Sequence, residues 1–537
     1  MVIHHRIWLS KFACPAWLCY SLTATEAAGL LKLTATNKQS QDFYSQYAQR
    51  VQPTIDLIFQ KPTMDFIIKF AQAHESFRVA EIQALAVIES VDLEVLEYSD
   101  DSPFCIARLP SVRDAQRLIR RSILAQSVHE LWGTGATFDA LHQSVKERTS
   151  KLWADYKSVS FKFTIDSYQG THSNNERLSI INTFDYLPFE GPIRMSQPDE
   201  IFTVFEQWPF NSVPLGIEKP TNIYLGRLVG KSSRETVLKF DLKKRGYIST
   251  TSMDSELSLI TANIALAGPG KLFYDPFVGT GSFPIACACF GAMAWGSDID
   301  GRSIRGEGGA KSLRGNFQQY YIKQRLGDVF AADLMNSPIK RDRRIWDGIV
   351  CDPPYGVREG LRVLGLKDPE KTPWLVEQGK KNASYVFNYT RHSSYKRAFW
   401  TPHSIPLTKT LADRSSSPDF VPPKKPYSFL AMLDDILAFA AATLVDNGRL
   451  SFWMPTANDE DQEIPVPTHP SLEVVVVCVQ KFNKWSRRLI TYSRLSDEKV
   501  SAAAVAVYHN RKTVSTVGST VDDLNPFRRG YFKKFES

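Results

Sequence analysis

The sequence predicts an α/β protein in which a mostly parallel, doubly wound sheet with a terminal antiparallel hairpin follows an α+β region. Three observations support this. From about residue 250 onward, short apolar segments alternate with helical ones, which is typical of a parallel sheet covered on both faces. The first of these segments runs into the glycine-containing turn DPFVGTGSF. Between residues 64 and 245, strand-like and helix-like segments follow one another in irregular order, which is typical of α+β domains.

The N-terminal half has the following order of elements. FIIKFA predicts a strand, RVAEIQALAVI a helix, and EVLEY and FCIARL two more strands. A helical period then extends through VRDAQRLIRRSILAQSVHELWGTG to a glycine stop. Four further strands are predicted in SVSFKFTID, LSIINTFDYL, DEIFTVFEQW and NIYLGRLVG.

In the C-terminal half, predicted strands alternate with predicted helices. KLFYDPF, MAWGSDID, QRLGDVF and IWDGIVCDPPY predict strand ends, SFPIACACFGA a helix, and DDILAFAAATLVDNGRLSFWMP a helix, a turn and a strand. LEVVVVCVQKF and AAAVAVYHN predict the terminal antiparallel hairpin. The aperiodic insertion at 357–426 is too long for a simple connection, so we expect it to be functional or in part disordered.

The chain length of 537 residues exceeds what one hydrophobic core supports and predicts about two to four domains. We expect an extension outside the fold at 1–63, a ferredoxin-like α+β module at 64–130, an α+β domain at 131–245, the parallel-sheet domain at 250–515, and a tail at 516–537.

Composition limits the cellular setting and the partners. The net charge of +8 is compatible with a polyanionic partner. The seven cysteines are scattered without a C-x-x-C pair, so we expect no metal site and free thiols in a reducing, cytoplasmic compartment. No apolar run reaches the ~18 residues of a membrane helix. The basic N-terminus leaves a mitochondrial targeting segment as an alternative.

The turn DPFVGTGSF, which begins with Asp275, Pro276 and Phe277, predicts a nucleoside-cofactor site. Gly279 and Gly281 allow a tight turn and a close approach of the backbone to a ligand, and the helix that follows offers free N–H groups. Such sites lie at the carboxyl edge of a parallel sheet. The third glycine of a pyrophosphate fingerprint is missing, which disfavours a dinucleotide. The alternative is a plain strand–helix turn.

Carboxylates follow the next two predicted strands. Asp298 or Asp300 could hold two ribose hydroxyls, and Asp298 is preferred because it is nearer the strand end. The alternative is a helix N-cap. Asp328 could face an adenine amino group, although Asp is common after strands for turn-forming reasons alone.

The segment CDPPYG carries a second chemical signal. Its two prolines must end the strand before it and hold Asp352 and the carbonyl of Pro353 rigidly. These two acceptors, stiffened by Pro354, could orient a planar –NH₂ so that its lone pair attacks a sulfonium methyl, with the proton leaving to Asp352 or water. Tyr355 offers a ring on which a base can stack. The alternative for Asp352 is a turn-capping acid.

Together, DPFVGTGS and DPPYG resemble the S-adenosylmethionine-dependent amino-methyltransferases. A closer resemblance runs from Met64 almost to the end. It rests on KFAQAHESFRVAEIQALA, SVHELWGTG, DLKKRGYISTTSMDSELSLITANIAL and FNKWSRRLITY, which are similar to the catalytic subunit family of the eukaryotic tRNA guanosine-10 N2-methyltransferase. That family joins an N-terminal RNA-binding region with a THUMP domain, here placed at 131–245, to a Rossmann-like methyltransferase domain.

The resemblance implies S-adenosyl-L-methionine as cofactor and the exocyclic N2 of a guanine in tRNA as target. It also implies a partner, a small zinc-binding activator subunit that covers an apolar edge of the catalytic domain. The family places a cofactor contact before the first strand, which points to TTSMDSE and to Thr251. The alternative is that Thr251 or Ser252 caps the next helix.

Basic residues next to aromatic ones predict RNA contacts. The candidates for phosphate contacts are Lys243, Lys244, Arg245, Arg487 and Arg488. The alternative is a solvated charged face. A guanine must leave its stack to reach Asp352.

Two rival functions remain open from the sequence. One is an adenine-N6 methyltransferase acting on RNA or DNA, which D-P-P-Y alone does not exclude. The other is a catalytically silent RNA-binding scaffold, which the glycine turn and Asp352 oppose.

Overall fold

The computed structural model describes residues 63–356, 361–364, 375–377, 380–382, 424–457, 464–482, 485–510, 524–525 and 527. The predictions for the extension 1–62, for most of the insertion at 357–426 and for most of the tail fall outside these residues. From Asp65 onward the chain forms a single unit.

The N-terminal half forms a seven-stranded mixed sheet with the order β2-β3-β1-β4-β7-β6-β5. Most of its neighbours are antiparallel, and β5 and β6 are parallel. Its strands are β1 (Met64–Phe70), β2 (Glu94–Tyr98), β3 (Phe104–Leu109), β4 (Ala125–Gly135), β5 (Phe161–Tyr168), β6 (Glu200–Gln207) and β7 (Asn222–Lys231).

The helices of this half lie between these strands, except the last helix, which follows β7. They are α1 (Glu75–Glu89), α2 (Val112–Ile119), α3 (Phe138–Thr149), α4 (Asn174–Asn182), α5 (Ser212–Leu215) and α6 (Thr236–Lys239). 3₁₀ segments occur at Ser150–Tyr156 and Leu242–Lys244.

Two predicted elements of this half are wrong. The helical period ends with α2, and SVHELWGTG forms the central strand β4. Because most of β4 is buried, its apolar residues do not alternate, and periodicity does not separate such a strand from a helix. LSIINTFDYL begins with the last residues of helix α4 and does not form a strand, since Ser173 and Glu176 form a capping box that starts this helix at Asn174.

The predicted module boundary between residues 130 and 131 falls inside β4. This strand pairs with β1 on one side and with β7 on the other. One sheet therefore contains strands from both predicted modules.

The C-terminal half forms a second seven-stranded sheet, with the order β10-β9-β8-β11-β16-β18-β17. Neighbours from β10 to β16 are parallel, and β18 is antiparallel to both β16 and β17. The strands are β8 (Leu272–Asp275), β9 (Met293–Asp298), β10 (Leu326–Ala331), β11 (Trp346–Cys351), β16 (Leu444–Ala457), β17 (Leu472–Lys481) and β18 (Trp485–Arg494). This confirms the α/β class with a mostly parallel sheet.

The terminal antiparallel hairpin is present, but its second strand is β18 and not the segment AAAVAVYHN. That segment is a helix, in keeping with the high helix propensity of alanine. The helices of this half are α7 (Ser255–Ile264), α8 (Ser282–Cys289), α9 (Gly301–Arg305), α10 (Leu313–Gln319), α11 (Phe429–Thr443) and α12 (Ala502–Asn510). Two 3₁₀ turns, Lys323–Arg325 and Asp497–Lys499, complete the helical elements described here.

Short antiparallel ladders lie in and beside the insertion. β12 (Arg362–Leu364) pairs with β15 (Lys424–Pro426), and β13 (Leu375–Glu377) pairs with β14 (Lys380–Asn382). None of the described helices is long and apolar enough to cross a membrane.

The order of the second sheet creates a topological switch point. From β8 the chain builds outward through β9 and β10, then returns to place β11 on the other side of β8. In open sheets of this kind, ligands bind beyond the carboxyl ends of the strands at which the order reverses. The loops after β8 and β11 are therefore the candidates for a binding site.

A buried polar cluster joins the two halves of the chain. The carboxylate of Glu81 on α1 accepts hydrogen bonds from the backbone N–H groups of Ile123 and Leu124, at 2.9 and 2.8 Å. It also accepts from the hydroxyl of Ser122, at 2.7 Å, and from the side-chain amide of Asn263 on α7, at 2.6 Å. Because Glu81 is fully buried and fully bonded, it fixes α1 against α7.

A second contact reinforces this arrangement. The ring of Phe77 on α1 stacks on Trp453 of β16 with 5.7 Å between centroids. The hydroxyl of Ser76 both accepts from the N–H and donates to the carbonyl of Val479 on β17, at 2.8 and 2.9 Å. The N-terminal sheet is thus held in a fixed position relative to the parallel sheet.

We predict that Glu81→Ala destabilises the protein by roughly 2–5 kcal/mol, because four buried donors lose their acceptor. Equilibrium urea unfolding followed by tryptophan fluorescence measures this change. Glu97→Ala, at an exposed position on β2, is the control and should change stability by less than about 0.5 kcal/mol. Equal effects of the two substitutions would contradict the role of Glu81.

Candidate functional site

The loop between β8 and α8 is a tight turn that requires glycine at two positions. Gly279 and Gly281 have φ values of 48° and 90°, in the left-handed region. A Cβ at Gly281 would lie 3.0 Å from Leu313 Cγ, whereas a Cβ at Gly279 would meet, among the described atoms, only the Phe277 oxygen at 4.0 Å. The backbone at Gly279 is therefore open to a ligand, as the sequence pattern predicts for a cofactor turn.

Asp298 connects this turn to the next strand. It is the last residue of β9, and its carboxylate accepts the N–H of Gly279 at 2.9 Å and of Asp300 at 2.8 Å. Burial raises the pKa of Asp298, while these two N–H groups lower it. Each carboxylate oxygen retains a further acceptor position, so Asp298 can still receive ribose hydroxyls.

Asp300 has a different role. It accepts the N–H of Arg302 at 3.0 Å at the start of α9, and it pairs with the Arg302 guanidinium at 2.6 Å. Hydrogen bonds from Arg302 lower the pKa of Asp300 to about 2. Asp300 is therefore the helix N-cap that the sequence offered as the alternative to a ribose contact.

The turn begins with Asp275, Pro276 and Phe277, and a hydrogen bond within this segment stabilises it. Asp275 is buried, and its carboxylate accepts the N–H of Phe277 at 2.9 Å. Burial raises the pKa of Asp275 well above its usual range, and the charges of Asp298 and Asp352 raise it further. These three residues remain predicted cofactor contacts through the turn that they build.

The sequence predicts Asp328 at the end of a strand, but the structure places it inside β10. It is the third residue of β10, because the apolar segment after it continues the strand to Ala331. Its carboxylate accepts from Arg314 and is half exposed. A contact with an adenine amino group would therefore come from a carboxylate that is already paired.

The segment TTSMDSE, which the resemblance marks as a cofactor contact, touches the glycine turn through Ser252 and not through Thr251. The hydroxyl of Ser252 lies 2.7 Å from that of Thr280 within the turn. Thr251 is exposed and contacts Ser249. The cap of α7 is Asp254, which accepts the N–H of Leu257 at 2.9 Å, so neither predicted cap residue holds that position.

The D-P-P-Y segment leaves the sheet next to the glycine turn. β11 and β8 are parallel neighbours, with Gly348 opposite Phe273 and Ile349 opposite Tyr274. Because parallel neighbours end at the same edge, Asp352 and the turn after Asp275 lie at one crevice. The sequence predicts this convergence, and the structure has it.

Two polar atoms of this segment are buried without a partner. Within the described part of the chain, Asp352 Oδ1 and Tyr355 Oη have no hydrogen-bond partner. Burial raises the pKa of Asp352 to about 6, and the nearby Tyr355 hydroxyl and Arg487 lower it. These two orphaned atoms lie close to each other without a geometric hydrogen bond. Because buried polar groups in native proteins are normally bonded, Asp352 keeps an acceptor position that a ligand can use.

Comparison with known proteins shows the family of this chain. Residues 64–234 match the family described as Tmrp11 THUMP N-terminal domain, and residues 243–363 match the RMKL-like methyltransferase domain. The chain is 41% identical over 430 residues to the tRNA (guanine(10)-N(2))-methyltransferase of Saccharomyces cerevisiae, covering 80% of this chain and 92% of that protein. The chain belongs to the tRNA (guanine(10)-N2)-methyltransferase family.

The chain is also similar, at lower identity, to a human protein and to a solved bacterial structure. The human tRNA (guanine(10)-N(2))-methyltransferase TRMT11 is 33% identical over 447 residues, which cover 80% of this chain and 88% of that protein. The solved structure of TrmN from Thermus thermophilus is 14% identical, with a TM-score of 0.36, over 80% of this chain and 100% of that one.

Membership of this methyltransferase family confirms the predicted enzyme class and S-adenosylmethionine as cofactor. The residues present suit that cofactor. Gly279 leaves an open backbone, and Asp298 provides an acceptor at the end of β9. No group of His, Cys, Asp and Glu that could hold a metal ion occurs among the described residues.

The aromatic residue of D-P-P-Y packs against the terminal hairpin of this methyltransferase domain. The Tyr355 ring meets Trp485 edge-on at 6.4 Å, and Trp485 stacks on Phe482 at 4.6 Å. The Tyr355 carbonyl accepts from the side-chain amide of Asn525 at 2.8 Å. Trp485 is thus packed against the site.

The five basic residues predicted to contact phosphates separate into different environments. Lys243 and Lys244 are exposed. Arg245 is 6% exposed and donates to Ser282 Oγ at 3.0 Å, and Arg488 is 5% exposed and donates to the carbonyl of Ile464. A buried guanidinium does not reach a phosphate backbone, so the prediction for Arg245 and Arg488 is corrected.

We predict that Asp298→Ala weakens S-adenosylmethionine binding by roughly 10–100-fold, because the turn and the ribose both lose a charged acceptor. Isothermal titration calorimetry measures the dissociation constant. Asp300→Ala is the matched control two residues away and should change it by less than about threefold. Equal losses in the two variants would contradict the assignment of the ribose contact to Asp298.

Proposed function

We propose that this chain transfers a methyl group from S-adenosyl-L-methionine to the exocyclic N2 of guanosine 10 in tRNA. The observation that carries the proposal is the convergence of the glycine turn after β8 with Asp352 after β11 at one crevice. Family membership supports the choice of substrate, since the relatives are named for this activity.

The chemistry follows from the acceptors that the chain supplies. Bound S-adenosylmethionine provides an electrophilic methyl group on a positively charged sulfur. The Asp352 carboxylate and the Pro353 carbonyl accept the two N–H groups of the guanine amine, which directs its lone pair at the methyl group. The amine nitrogen would form a bond to the methyl carbon while the carbon–sulfur bond breaks and its electron pair stays on sulfur as a neutral thioether. The amine loses a proton, which passes to Asp352 or to water.

The environment of Asp352 suits this task. Because burial raises the pKa of Asp352 to about 6, its carboxylate is charged at neutral pH, yet it is basic enough to accept a proton after transfer. The Pro353–Pro354 pair limits backbone freedom. Tyr355, supported by Trp485, provides a ring against which the extruded guanine can pack.

Binding of the tRNA is assigned to the N-terminal sheet, which carries the THUMP region. Lys243 and Lys244 lie in the exposed connection between the two halves and are proposed phosphate contacts. The buried cluster around Glu81 fixes the spacing between the RNA-binding sheet and the catalytic crevice. A fixed spacing lets the enzyme select one position of a folded tRNA.

The family resemblance also supports a heterodimer with a small zinc-binding activator subunit, and action in the cytoplasm. We propose both the heterodimer and the cytoplasmic location. Co-purification of the chain with such a subunit, followed by zinc analysis of the complex, tests the first of them.

We predict that the full-length chain with the activator converts guanosine to N2-methylguanosine in bulk tRNA. Mass spectrometry of nucleosides after digestion detects the product. N6-methyladenosine in its place would favour the rival adenine methyltransferase. Failure to bind S-adenosylmethionine in the presence of the activator would favour a silent scaffold.

We predict that Asp352→Ala lowers the rate of methyl transfer by roughly 10²–10⁴-fold, because the amine loses its charged acceptor. The dissociation constant for S-adenosylmethionine should change by less than about threefold, since the cofactor turn is intact. Single-turnover transfer and calorimetry measure the two quantities. Asp352→Asn keeps the size of the side chain and should be similarly slow, whereas turnover near wild type in either variant would contradict the assignment.

The pH profile gives a further expectation for the wild-type enzyme. Only the carboxylate form of Asp352 accepts the amine N–H, and its pKa is about 6. The value of kcat/KM should therefore be constant above this pH and fall about tenfold per unit below it. A profile that stays flat down to pH 5 would contradict either the raised pKa of Asp352 or the need for its carboxylate form.

A further inference from the structure

One charged residue beside the D-P-P-Y segment is not used in the mechanism above. Arg487 lies on β18, two residues after Trp485, whose ring meets Tyr355. Side chains two residues apart on a strand point to the same face. Arg487 is therefore on the side of the sheet that meets Tyr355, next to the crevice.

The guanidinium of Arg487 is held in place. Its Nε donates to Gln480 Oε1 at 2.5 Å, and its Cζ lies 4.8 Å from the centre of the Trp453 ring. Its Nη2 is 3.9 Å from Asp254 Oδ2, and only 16% of the side chain is exposed. A sheltered, oriented cation of this kind differs from a flexible phosphate contact such as an exposed lysine.

The charge of Arg487 acts on the residues of the site. It lowers the pKa of Asp352, opposing the effect of burial. It has the same effect on Tyr355, whose hydroxyl lies near the guanidinium. The cation thus lies on the same side of the crevice as the two orphaned atoms.

The hydrogen-bonding groups of guanine suggest what a cation at the position of Arg487 could bind. The base has its N2 amine and ring N1–H as donors and O6 as an acceptor, in a row along one edge, whereas adenine carries an amine donor at position 6. If the N2 amine is held by Asp352, the other end of that edge needs a donor. A guanidinium has five N–H groups and no acceptor, so it bonds to O6 and repels an amine.

We propose that Arg487 donates a hydrogen bond to O6 of the target base and thereby selects guanine over purines that carry an amine at position 6. This inference rests on the proposed transfer to guanine N2. It replaces the phosphate contact predicted for Arg487 and makes it a specificity residue for the base.

The test uses the full-length chain with its activator and tRNA assembled from synthetic fragments. The target position carries guanosine, 6-thioguanosine or 2,6-diaminopurine riboside, all of which have the 2-amine. We expect the wild type to prefer guanosine over 2,6-diaminopurine by about 100-fold or more in kcat/KM, with 6-thioguanosine between them because sulfur is a weaker acceptor.

Arg487→Met should lower kcat/KM for guanosine by roughly 10–100-fold and reduce the preference over 2,6-diaminopurine to within about threefold. Arg487→Lys keeps the charge but loses the planar fork, and should retain part of the preference. Lys499→Met, in the exposed turn after β18, is the control and should leave both values unchanged. Calorimetry with S-adenosylmethionine verifies that each variant is folded.

Three outcomes contradict the inference or its basis, and they can be told apart. Equal use of guanosine and 2,6-diaminopurine by the wild type would overturn it without any variant. Equal losses on all substrates in Arg487→Met, with a shallower salt dependence of binding, would return Arg487 to a phosphate contact. Absence of N2-methylguanosine from the guanosine substrate would instead contradict the proposed function.

Discussion

The parallel pairing of β8 with β11 is the constraint on which the site depends. Gly348 lies opposite Phe273 and Ile349 opposite Tyr274, so the two strands end together and their loops meet beyond the same edge. The strand order reverses between them, which opens a crevice at that point. The glycine turn and the D-P-P-Y segment are more than 70 residues apart in the chain. The pairing of the two strands brings them together, and no direct bond between their side chains is needed.

Burial determines the chemical state of the acids around this crevice. Asp275 and Asp298 are held by backbone N–H groups and stabilise the turn, while Asp352 has an oxygen with no partner among the described residues. Asp275 bonds only within the turn, Asp298 keeps acceptor positions for the cofactor beside its bonds to the turn, and Asp352 has an unbonded oxygen for the substrate. Three carboxylates at one edge thus have separate tasks because their hydrogen-bond partners differ.

Packing contacts fasten the N-terminal half of the chain to the parallel-sheet half near this crevice. Glu81 and Asn263 fasten α1 to α7, and Phe77 stacks on Trp453. Trp453 in turn lies under the Arg487 guanidinium beside the active site. The same contacts therefore connect the half that matches the THUMP family to the residues beside the D-P-P-Y segment.

The sequence by itself determined the fold class, the glycine turn and the D-P-P-Y segment, because each depends on local properties: alternation of apolar segments, glycine conformations, and the inability of proline to continue a strand. It did not determine β4, α4 or the true partner of β17, since burial on both faces removes periodicity and pairing is non-local. Only the tertiary structure decided that Arg245 and Arg488 face inward, that Ser252 contacts the turn, and that Arg487 lies beside Asp352. A basic residue looks the same in the sequence whether its side chain enters the core, the crevice or the solvent, because the direction is decided by the packing of elements that are distant in the chain.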